Sequence, residues 1–265
     1  MRMKAIASGS SGNSIYVGTD NAHILVDAGV SKKKIEEGLK LLDLCGNDID
    51  ALVVTHEHTD HIGGIGVLLR KYPINVYATK GTINEILNYK YLGQVDKSLF
   101  HVIDYDKTFN IKDIAVTPIK ISHDAAQPCA YKFISGNKKS AVMTDLGCYD
   151  DYIVNYLKGL DTLYIEANHD IRMLETGPYP YILKKRILGK KGHLSNETCG
   201  RLLDTLLHEN MKHVVLSHLS HENNLPELAF EAVRMEVNLS SSKNNADDYH
   251  ISVAKRNEAS ETLYF

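Results

Sequence analysis

The stretch Thr55-His56-Glu57-His58-Thr59-Asp60-His61-Ile62-Gly63-Gly64 follows directly after the apolar run Ala51–Val54. That run has the length and composition of a strand buried on both faces. Because residues two apart in an extended chain point the same way, His56, His58 and Asp60 are predicted to converge on one point. His61 is predicted to turn aside, towards a second point nearby, as the chain bends into a helix at Gly63-Gly64. Imidazole and carboxylate ligands suit zinc, iron or manganese, so the stretch predicts a metal site.

The composition around this stretch is that of an ordinary globular protein. The 265 residues are 43% hydrophobic and 24% charged, which excludes wholesale disorder. With 30 Lys and Arg against 33 Asp and Glu, the net charge is −3, so the chain does not bind nucleic acid merely by being basic. No apolar run reaches membrane-spanning length, and we expect neither a signal peptide nor a membrane partner. The four cysteines are far apart, which argues against a thiolate zinc site and suits a cytoplasmic protein.

Short apolar runs alternate with helical patterns along the whole chain, which predicts an α/β fold. A hairpin is predicted over Ile15–Val26, and a helix capped by Ser31 follows it. Further strands are predicted at residues 75–78, 100–103, 114–121, 130–134, 140–144, 162–165, 213–217 and 249–254. Helices are predicted after Ser195 and from Pro226 to about Val237. We see no linker, so residues 1–265 are predicted to form one domain, with a mobile polar loop at about 238–248.

The pattern His-x-His-x-Asp-His after an apolar strand resembles the signature of the metallo-β-lactamase fold. This resemblance implies a four-layer αβ/βα sandwich with a dinuclear metal site at one edge of its two sheets. It also implies a role for Asp27, in Val26-Asp27-Ala28-Gly29, which ends an early strand and orients the histidine loop without binding metal.

The same resemblance implies the remaining ligands, each at the end of a later predicted strand: His123, Asp145 and His218. One metal ion is then held by His56, His58 and His123. The other is held by Asp60, His61 and His218, and Asp145 bridges the two. Two divalent ions are expected, and zinc, manganese and iron suit these ligands alike.

Several further motifs narrow the resemblance to the YycJ/WalJ group of this fold. They are Ser8–Asn13, Asp27–Gly29, Ser122–Ala125, Glu166–Asp170, Gly192–Asn196 and His218–Asn224. The group implies a cytosolic, metal-dependent 5′→3′ exonuclease that acts on DNA. The sequence His123-Asp124-Ala125-Ala126 replaces the His-Thr-Pro-Gly type found in lactamases and lactonases, which favours nucleases and phosphodiesterases. The alternatives are a small-molecule hydrolase, such as a cyclic-phosphate diesterase or a thioester or lactone hydrolase, and a non-catalytic metal-binding module.

Two histidines outside the ligand set are candidates to assist the leaving oxygen: His193, in a Gly-His-Leu-Ser-Asn segment, and His169, after the strand at 162–165. Each also fits a structural role at a helix start. Glu166 orients one of them or merely ends a strand. Asp60 is expected both to bind metal and to help hold the nucleophilic water.

Three groups are predicted to contact substrate. They are Ser10, Ser11 and Asn13 in a Gly-containing turn, the basic residues Lys184, Lys185, Arg186, Lys190 and Lys191, and the pair Asn223 and Asn224. A tight hairpin explains the turn equally well, and a solvated helix face explains the basic run. We see no stacking surface of interleaved aromatic residues and no base-reading motif, so DNA is expected to be bound through its phosphate backbone without sequence specificity. The oligomeric state stays open.

Overall fold

The computed structural model describes residues 1–240, 242 and 244–265, and the chain divides into two units. The first unit comprises Met1–Lys120, Ala125–Asn137 and Lys255–Phe265. The second comprises Ile121–Asp124 and Lys138–Ala254. Within the described residues, no helix is both long and apolar enough to cross a membrane.

The first unit contains a mixed sheet of seven strands. In sheet order these are β14 (Leu263–Tyr264), β1 (Arg2–Ala7), β2 (Ser14–Gly18), β3 (His23–Val26), β4 (Ala51–Val53), β5 (Asn75–Thr79) and β6 (Phe100–Ile103). The strands from β14 to β3 pair antiparallel, and those from β3 to β6 pair parallel. The predicted hairpin and the buried strand before the histidines are therefore confirmed. Strand β1 was not predicted from the sequence.

The helices of this unit supply the rest of its core. They are α1 (Lys32–Lys40), α2 (Thr59–Ile62), α3 (Ile65–Lys71) and α4 (Lys80–Asn88). Ser31 caps α1 as predicted, since its Oγ accepts a hydrogen bond from the backbone N–H of Lys34 at 3.3 Å. Ile35 and Leu39 on the buried face of α1 join Leu25 and Leu52 of the sheet in one apolar cluster. An antiparallel meander of β7 (Phe109–Ile111), β8 (Ile114–Lys120) and β9 (Cys129–Ser135) completes the unit.

The second unit is built on parallel strands. They are β10 (Lys138–Met143), β11 (Thr162–Glu166), β12 (His213–Ser217) and β13 (Ile251–Val253). Its helices are α5 (Asp151–Leu157), α6 (Ile171–Thr176), α7 (Tyr181–Ile187), α8 (Asn196–Leu206) and α9 (Pro226–Leu239). Ser195 caps α8 as predicted. Leu202, Leu203 and Leu206 of α8 are buried, as its spacing of apolar residues predicts.

The polar loop predicted at 238–248 is shorter than expected. Helix α9 continues to Leu239, and residues 246–248 form a short 3₁₀ turn. The side-chain carbonyl of Asn238 accepts a hydrogen bond from the backbone N–H of Ala246 at 2.7 Å, which joins the helix end to that turn. Ser241 and Lys243 lie outside the described residues. Helix α9 therefore extends two residues past the predicted helix end at Val237, and a 3₁₀ turn occupies the last three residues of the predicted loop.

Candidate metal centre

The histidine loop of the first unit begins in extended chain and then becomes helical. The rings of His56 and His58 meet edge-on, with their centroids 4.6 Å apart. Helix α2 begins at Thr59 with His58 as its N-cap residue. Asp60 therefore lies on a helical turn and not on the extended line predicted from the sequence, because the extended geometry ends at His58. Its Oδ2 lies 3.4 Å from Nε2 of His61, so Asp60 groups with His61.

Asp27 fixes the position of this loop by accepting three hydrogen bonds from it. Its Oδ1 accepts a hydrogen bond from the backbone N–H of Thr55 at 2.8 Å. Its Oδ2 accepts from the hydroxyl of Thr55 at 2.9 Å and from Nδ1 of His61 at 2.7 Å. The Thr55 hydroxyl oxygen in turn lies 3.0 Å from Nδ1 of His56. With Nδ1 of both histidines bonded in this way, their Nε2 atoms are oriented as ligands, which is the role that the family resemblance implies for Asp27.

Asn13 is part of the same hydrogen-bonded arrangement. Its side chain is buried, and its Nδ2 lies 3.2 Å from Nε2 of His61 and 3.1 Å from the carbonyl oxygen of Gly9. Its backbone N–H donates to the carbonyl of Asp60 at 2.8 Å. The predicted substrate contact through Asn13 is therefore not supported, because its amide is occupied by the protein. Ser10 and Ser11 in the same turn are exposed.

The second unit brings two carboxylates and several imidazoles together. Asp145, Glu166, His193 and His218 each offer a ligand atom, and these atoms lie within 4.8 Å of one another. Oδ1 of Asp145 lies 3.6 Å from Nε2 of His218 and 3.6 Å from Nε2 of His123. The predicted ligands of this unit, His123, Asp145 and His218, therefore converge on one carboxylate oxygen.

Glu166 is the central residue of this group. It is fully buried at the end of β11. Its Oε1 accepts hydrogen bonds from Nδ1 of His193 at 2.8 Å and Nδ1 of His218 at 2.9 Å, while its Oε2 accepts from the backbone N–H groups of Leu146 and Leu194. Burial raises the pKa of Glu166, but the two histidines outweigh burial and lower that pKa to about 2. The carboxylate stays charged and fixes both rings. The sequence left two roles open for Glu166, to orient a histidine or merely to end a strand. The feature that points to the first role is a glutamate placed directly at the end of an apolar strand.

The two histidines predicted to assist the leaving oxygen, His193 and His169, differ in their hydrogen-bond partners and in the direction of their pKa shifts. Burial lowers the pKa of His193, but Glu166 outweighs burial and the net shift is upward. Its Nδ1 lies 3.6 Å from Oδ1 of Asp145. The ring of His169 is buried, and its Nδ1 lies 3.3 Å from the side-chain carbonyl of Asn168. Burial lowers the pKa of His169 to about 4, so this ring is neutral at pH 7 and is no proton donor of the imidazolium type.

The basic segment contacts the loop that carries His123. The carbonyl of Gly192 accepts a hydrogen bond from Nδ1 of His123 at 3.1 Å, and the carbonyl of Lys190 accepts one from the hydroxyl of Ser122 at 2.8 Å. The side chain of Arg186 pairs with Asp124. Nζ of Lys184 donates hydrogen bonds to the backbone carbonyls of Glu175 and Gly177 at 2.8 and 2.7 Å. The other three basic residues of the segment are exposed: Lys185, Lys190 and Lys191. Lys184 and Arg186 thus have protein partners, which weakens the prediction that they contact substrate.

Asn223 and Asn224 are buried, in contrast to the substrate contacts predicted for them. Nδ2 of Asn224 donates to the carbonyls of Ala167 and Asn168 at 2.9 and 3.0 Å. The backbone carbonyl of Asn223 accepts from the N–H of Asp170 at 2.9 Å. Both residues hold neighbouring loops together, so the structure does not support them as substrate contacts.

The donor sets in both units fit divalent metal ions. In each unit, histidine Nδ1 atoms are bonded to a carboxylate, a hydroxyl or a backbone carbonyl. This arrangement selects the tautomer that presents Nε2, which is how proteins orient histidine ligands. Imidazole and carboxylate without thiolate suit zinc, manganese and iron.

Residues 22–219 match the profile of the Beta-lactamase superfamily domain. The chain belongs to the β-lactamase superfamily. It is 44% identical over 224 residues to exodeoxyribonuclease WalJ of Streptococcus pneumoniae, an alignment that covers 84% of this chain and 83% of the relative. It is 43% identical over 232 residues to exodeoxyribonuclease YycJ of Bacillus anthracis, and 86% of each chain is covered. The resemblance found in the sequence is therefore confirmed.

Two solved structures agree with the chain in fold. The metallo-β-lactamase fold protein YhfI from Bacillus subtilis has a TM-score of 0.72 at 15% identity, over 98% of both chains. Zn²⁺-bound PqqB from Methylobacterium extorquens has a TM-score of 0.72 at 16% identity, over 100% of both chains. At these identities the likeness concerns the fold alone. The predicted fold class, an α/β sandwich of the metallo-β-lactamase type, is confirmed.

Proposed function

We propose that this protein is a metal-dependent exonuclease that degrades DNA from the 5′ end and acts in the cytoplasm. The observation that carries the proposal is the 43–44% identity, over most of the chain, to two proteins named as exodeoxyribonucleases. The histidine and carboxylate groups of the two units support it, because they have the chemistry that a metal-dependent phosphodiesterase requires.

The two groups of donors together are proposed to hold two divalent ions. His56, His58 and His123 would hold one ion, and Asp60, His61 and His218 would hold the other. Asp145 is proposed to bridge them, in keeping with the distances of 3.6 Å from its Oδ1 to Nε2 of His123 and His218. When bound, the ions would supply a water molecule of lowered pKa and neutralise the charge that develops on the phosphoryl oxygens.

The chain's own residues then orient the reactants and move protons. Asp60 is proposed to hold the attacking water by accepting a hydrogen bond from it. His193, oriented by Glu166, is proposed to donate a proton to the leaving oxygen of the phosphodiester. Its geometry supports this role better than that of His169, which is neutral at pH 7 and bonded to Asn168.

Phosphate contacts are proposed for two exposed surfaces. Lys185, Lys190 and Lys191 carry positive charge on the segment whose backbone orients Ser122 and His123. Ser10 and Ser11 are exposed in the turn beside Asp60. Neither surface has a base-reading pattern, so the contacts are proposed to follow the strand backbone without sequence specificity.

The test offers the purified protein, with Mn²⁺ or Zn²⁺, three substrates: duplex DNA labelled at either end, bis-p-nitrophenyl phosphate and a thioester. We expect release of labelled mononucleotides from the 5′ end. His58→Ala should reduce this activity by more than about 100-fold, because it removes a ligand and not merely a group that orients one. The exposed His221 provides the matched control, His221→Ala, which should cleave normally. Turnover of the thioester alone, or normal cleavage by His58→Ala, would contradict the proposal.

A further inference from the structure

A cavity of 530 Å³ in the first unit adjoins Asp60. Its lining includes the hydroxyl-bearing residues Ser10, Ser11, Ser31 and Thr59 and the aromatic residue Tyr89. The volume lies within the range of about 300–1,000 Å³ that is typical of small-molecule sites. A cavity with several hydroxyls and one aromatic wall suits a ligand that combines a polar sugar phosphate with a flat base.

The guanidinium group of Arg256 lies next to Ser10, one of the residues that line this cavity. Nη1 of Arg256 lies 3.5 Å from Oγ of Ser10, and Arg256 is half-buried. A guanidinium group in this position favours an anionic ligand such as a phosphate, with which it forms charge-assisted hydrogen bonds. Arg256 follows β13 in the chain and belongs to the same unit as the cavity. The sequence offered no reason to single it out.

The aromatic wall continues onto the surface as the Tyr89–Tyr91 segment, which consists of Tyr89, Lys90 and Tyr91. The rings of Tyr89 and Tyr91 meet at 77°, with centroids 5.6 Å apart. Nζ of Lys90 lies 4.5 Å from the centre of the Tyr91 ring. Tyr91 is 66% exposed, although tyrosine is large and partly apolar. Aromatic rings interleaved with a basic residue are typical of surfaces that stack on single-stranded nucleic acid.

We propose that this cavity receives the terminal nucleotide of the strand being degraded, with its base against Tyr89 and the adjacent base against Tyr91. The proposal rests on the proposed nuclease function and adds the subsite that recognises a strand end. The hydroxyl groups and Arg256 take the sugar and phosphate. Asp60 lies at the wall of the same cavity, so a nucleotide seated there is next to a residue of the proposed reaction centre.

The test compares two oligonucleotides that are identical except at their termini. One carries normal terminal nucleotides, and the other carries abasic nucleotides at both ends. The terminal linkages are phosphorothioates, so that binding is measured by fluorescence anisotropy without hydrolysis. We expect wild-type protein to bind the normal ends at least about five-fold more tightly, since stacking on one aromatic residue contributes about 1–3 kcal/mol per base.

Substitutions assign that preference to the two tyrosines. Tyr89→Ala and Tyr91→Ala should each reduce the preference for a normal end, and the double variant should remove it. Tyr91→Phe keeps the ring and should keep the preference. Tyr264 is also 66% exposed, so Tyr264→Ala is the matched control and should behave as wild type.

The outcomes distinguish this inference from the function on which it rests. If wild-type protein degrades DNA but binds normal and abasic ends alike, the nucleotide subsite is refuted and the nuclease proposal stands. The subsite is also refuted if the double tyrosine variant keeps the full preference. If wild-type protein neither binds nor degrades DNA, both proposals fail together.

Discussion

Three residues of the candidate site have a backbone conformation that side chains other than glycine rarely adopt. Asp27, Asp145 and His218 have φ values of 62°, 58° and 55°, and each follows closely on a strand. Such a conformation costs about 1–3 kcal/mol and persists only where other contacts enforce it. For His218 these contacts are the bond from its Nδ1 to Glu166 and the bond that its carbonyl accepts from Nδ2 of Asn168 at 3.0 Å. The positive φ changes the direction of the chain at the end of each strand, and these contacts fix the orientation of the side chain at that point.

Asp27→Asn tests how a single carboxylate orients the histidine loop. An amide at this position cannot accept all three hydrogen bonds that Asp27 accepts from Thr55 and His61. We expect metal affinity of the first unit's ligands to fall by about 10–100-fold while the fold is kept. Isothermal titration with Zn²⁺ and circular dichroism measure the two effects. Asp43 is exposed and also has a positive φ, so Asp43→Asn is the control; equal affinities in the two variants would contradict the role of Asp27.

His193→Ala tests proton donation to the leaving group. DNA cleavage should fall by about 10²–10⁴-fold, because an alkoxide leaves poorly without a proton. Turnover of bis-p-nitrophenyl phosphate should fall much less, since p-nitrophenolate is stable without one. The measurement is the ratio of kcat values for the two substrates. An equal loss on both would show that His193 only supports the structure around Glu166.

Backbone hydrogen bonds join three segments of the first unit that surround the metal-binding histidines. The N–H of Ala28 donates to the carbonyl of His61 at 2.8 Å, and the N–H of Gly29 donates to the carbonyl of Asn13 at 2.8 Å. The N–H of Gly64 donates to the carbonyl of Ala28 at 2.7 Å. The loop after β3 therefore lies against both the turn after β1 and helix α2. Its position sets the backbone of the metal-binding residues.

Gly29→Ala tests this packing, because only hydrogen fits at that Cα. An added Cβ would lie 1.6 Å from the carbonyl oxygen of Asp60. We expect the loops to separate, with a loss of about 1–3 kcal/mol of unfolding free energy and a fall in activity of at least about ten-fold. Urea denaturation and DNA cleavage measure these effects. Gly189→Ala is the control, since its added Cβ would lie 3.2 Å from the nearest atom, a contact that a shift of a few tenths of an ångström relieves. Wild-type activity in Gly29→Ala would contradict the argument.

The charges that sum to a net charge of −3 are unevenly distributed over the molecule. Carboxylates such as Asp60 and Asp145 belong to the candidate metal centre, where bound cations offset their charge. Three exposed lysines, Lys185, Lys190 and Lys191, lie on one segment next to that centre's second group. An acidic total is thus compatible with a polyanionic substrate.

The salt dependence of DNA binding measures this local charge. Replacing Lys185, Lys190 and Lys191 by Gln should weaken binding and reduce the slope of log K against log salt concentration by about 3, because each lost phosphate contact contributes about 0.9. Replacing the exposed Lys33, Lys40 and Lys107 changes the net charge equally and serves as the control. If both triple variants give the same slope, the basic segment is an ordinary solvated face.

The fold class, the histidine loop and most strands follow from the sequence, because ligand spacing and apolar runs are local patterns. The role of Glu166 follows from the fold, since this carboxylate accepts hydrogen bonds from His193 and His218, which lie 27 and 52 residues further along the chain. The fold also shows that the side-chain amides of Asn13 and Asn224 bond to His61 and to the backbone of Ala167. It places Tyr89 at a cavity that Asp60 also lines. These roles depend on which loops meet at the ends of different strands. Spacing along one chain does not contain that information, since a side chain's partners are set by the packing of distant elements.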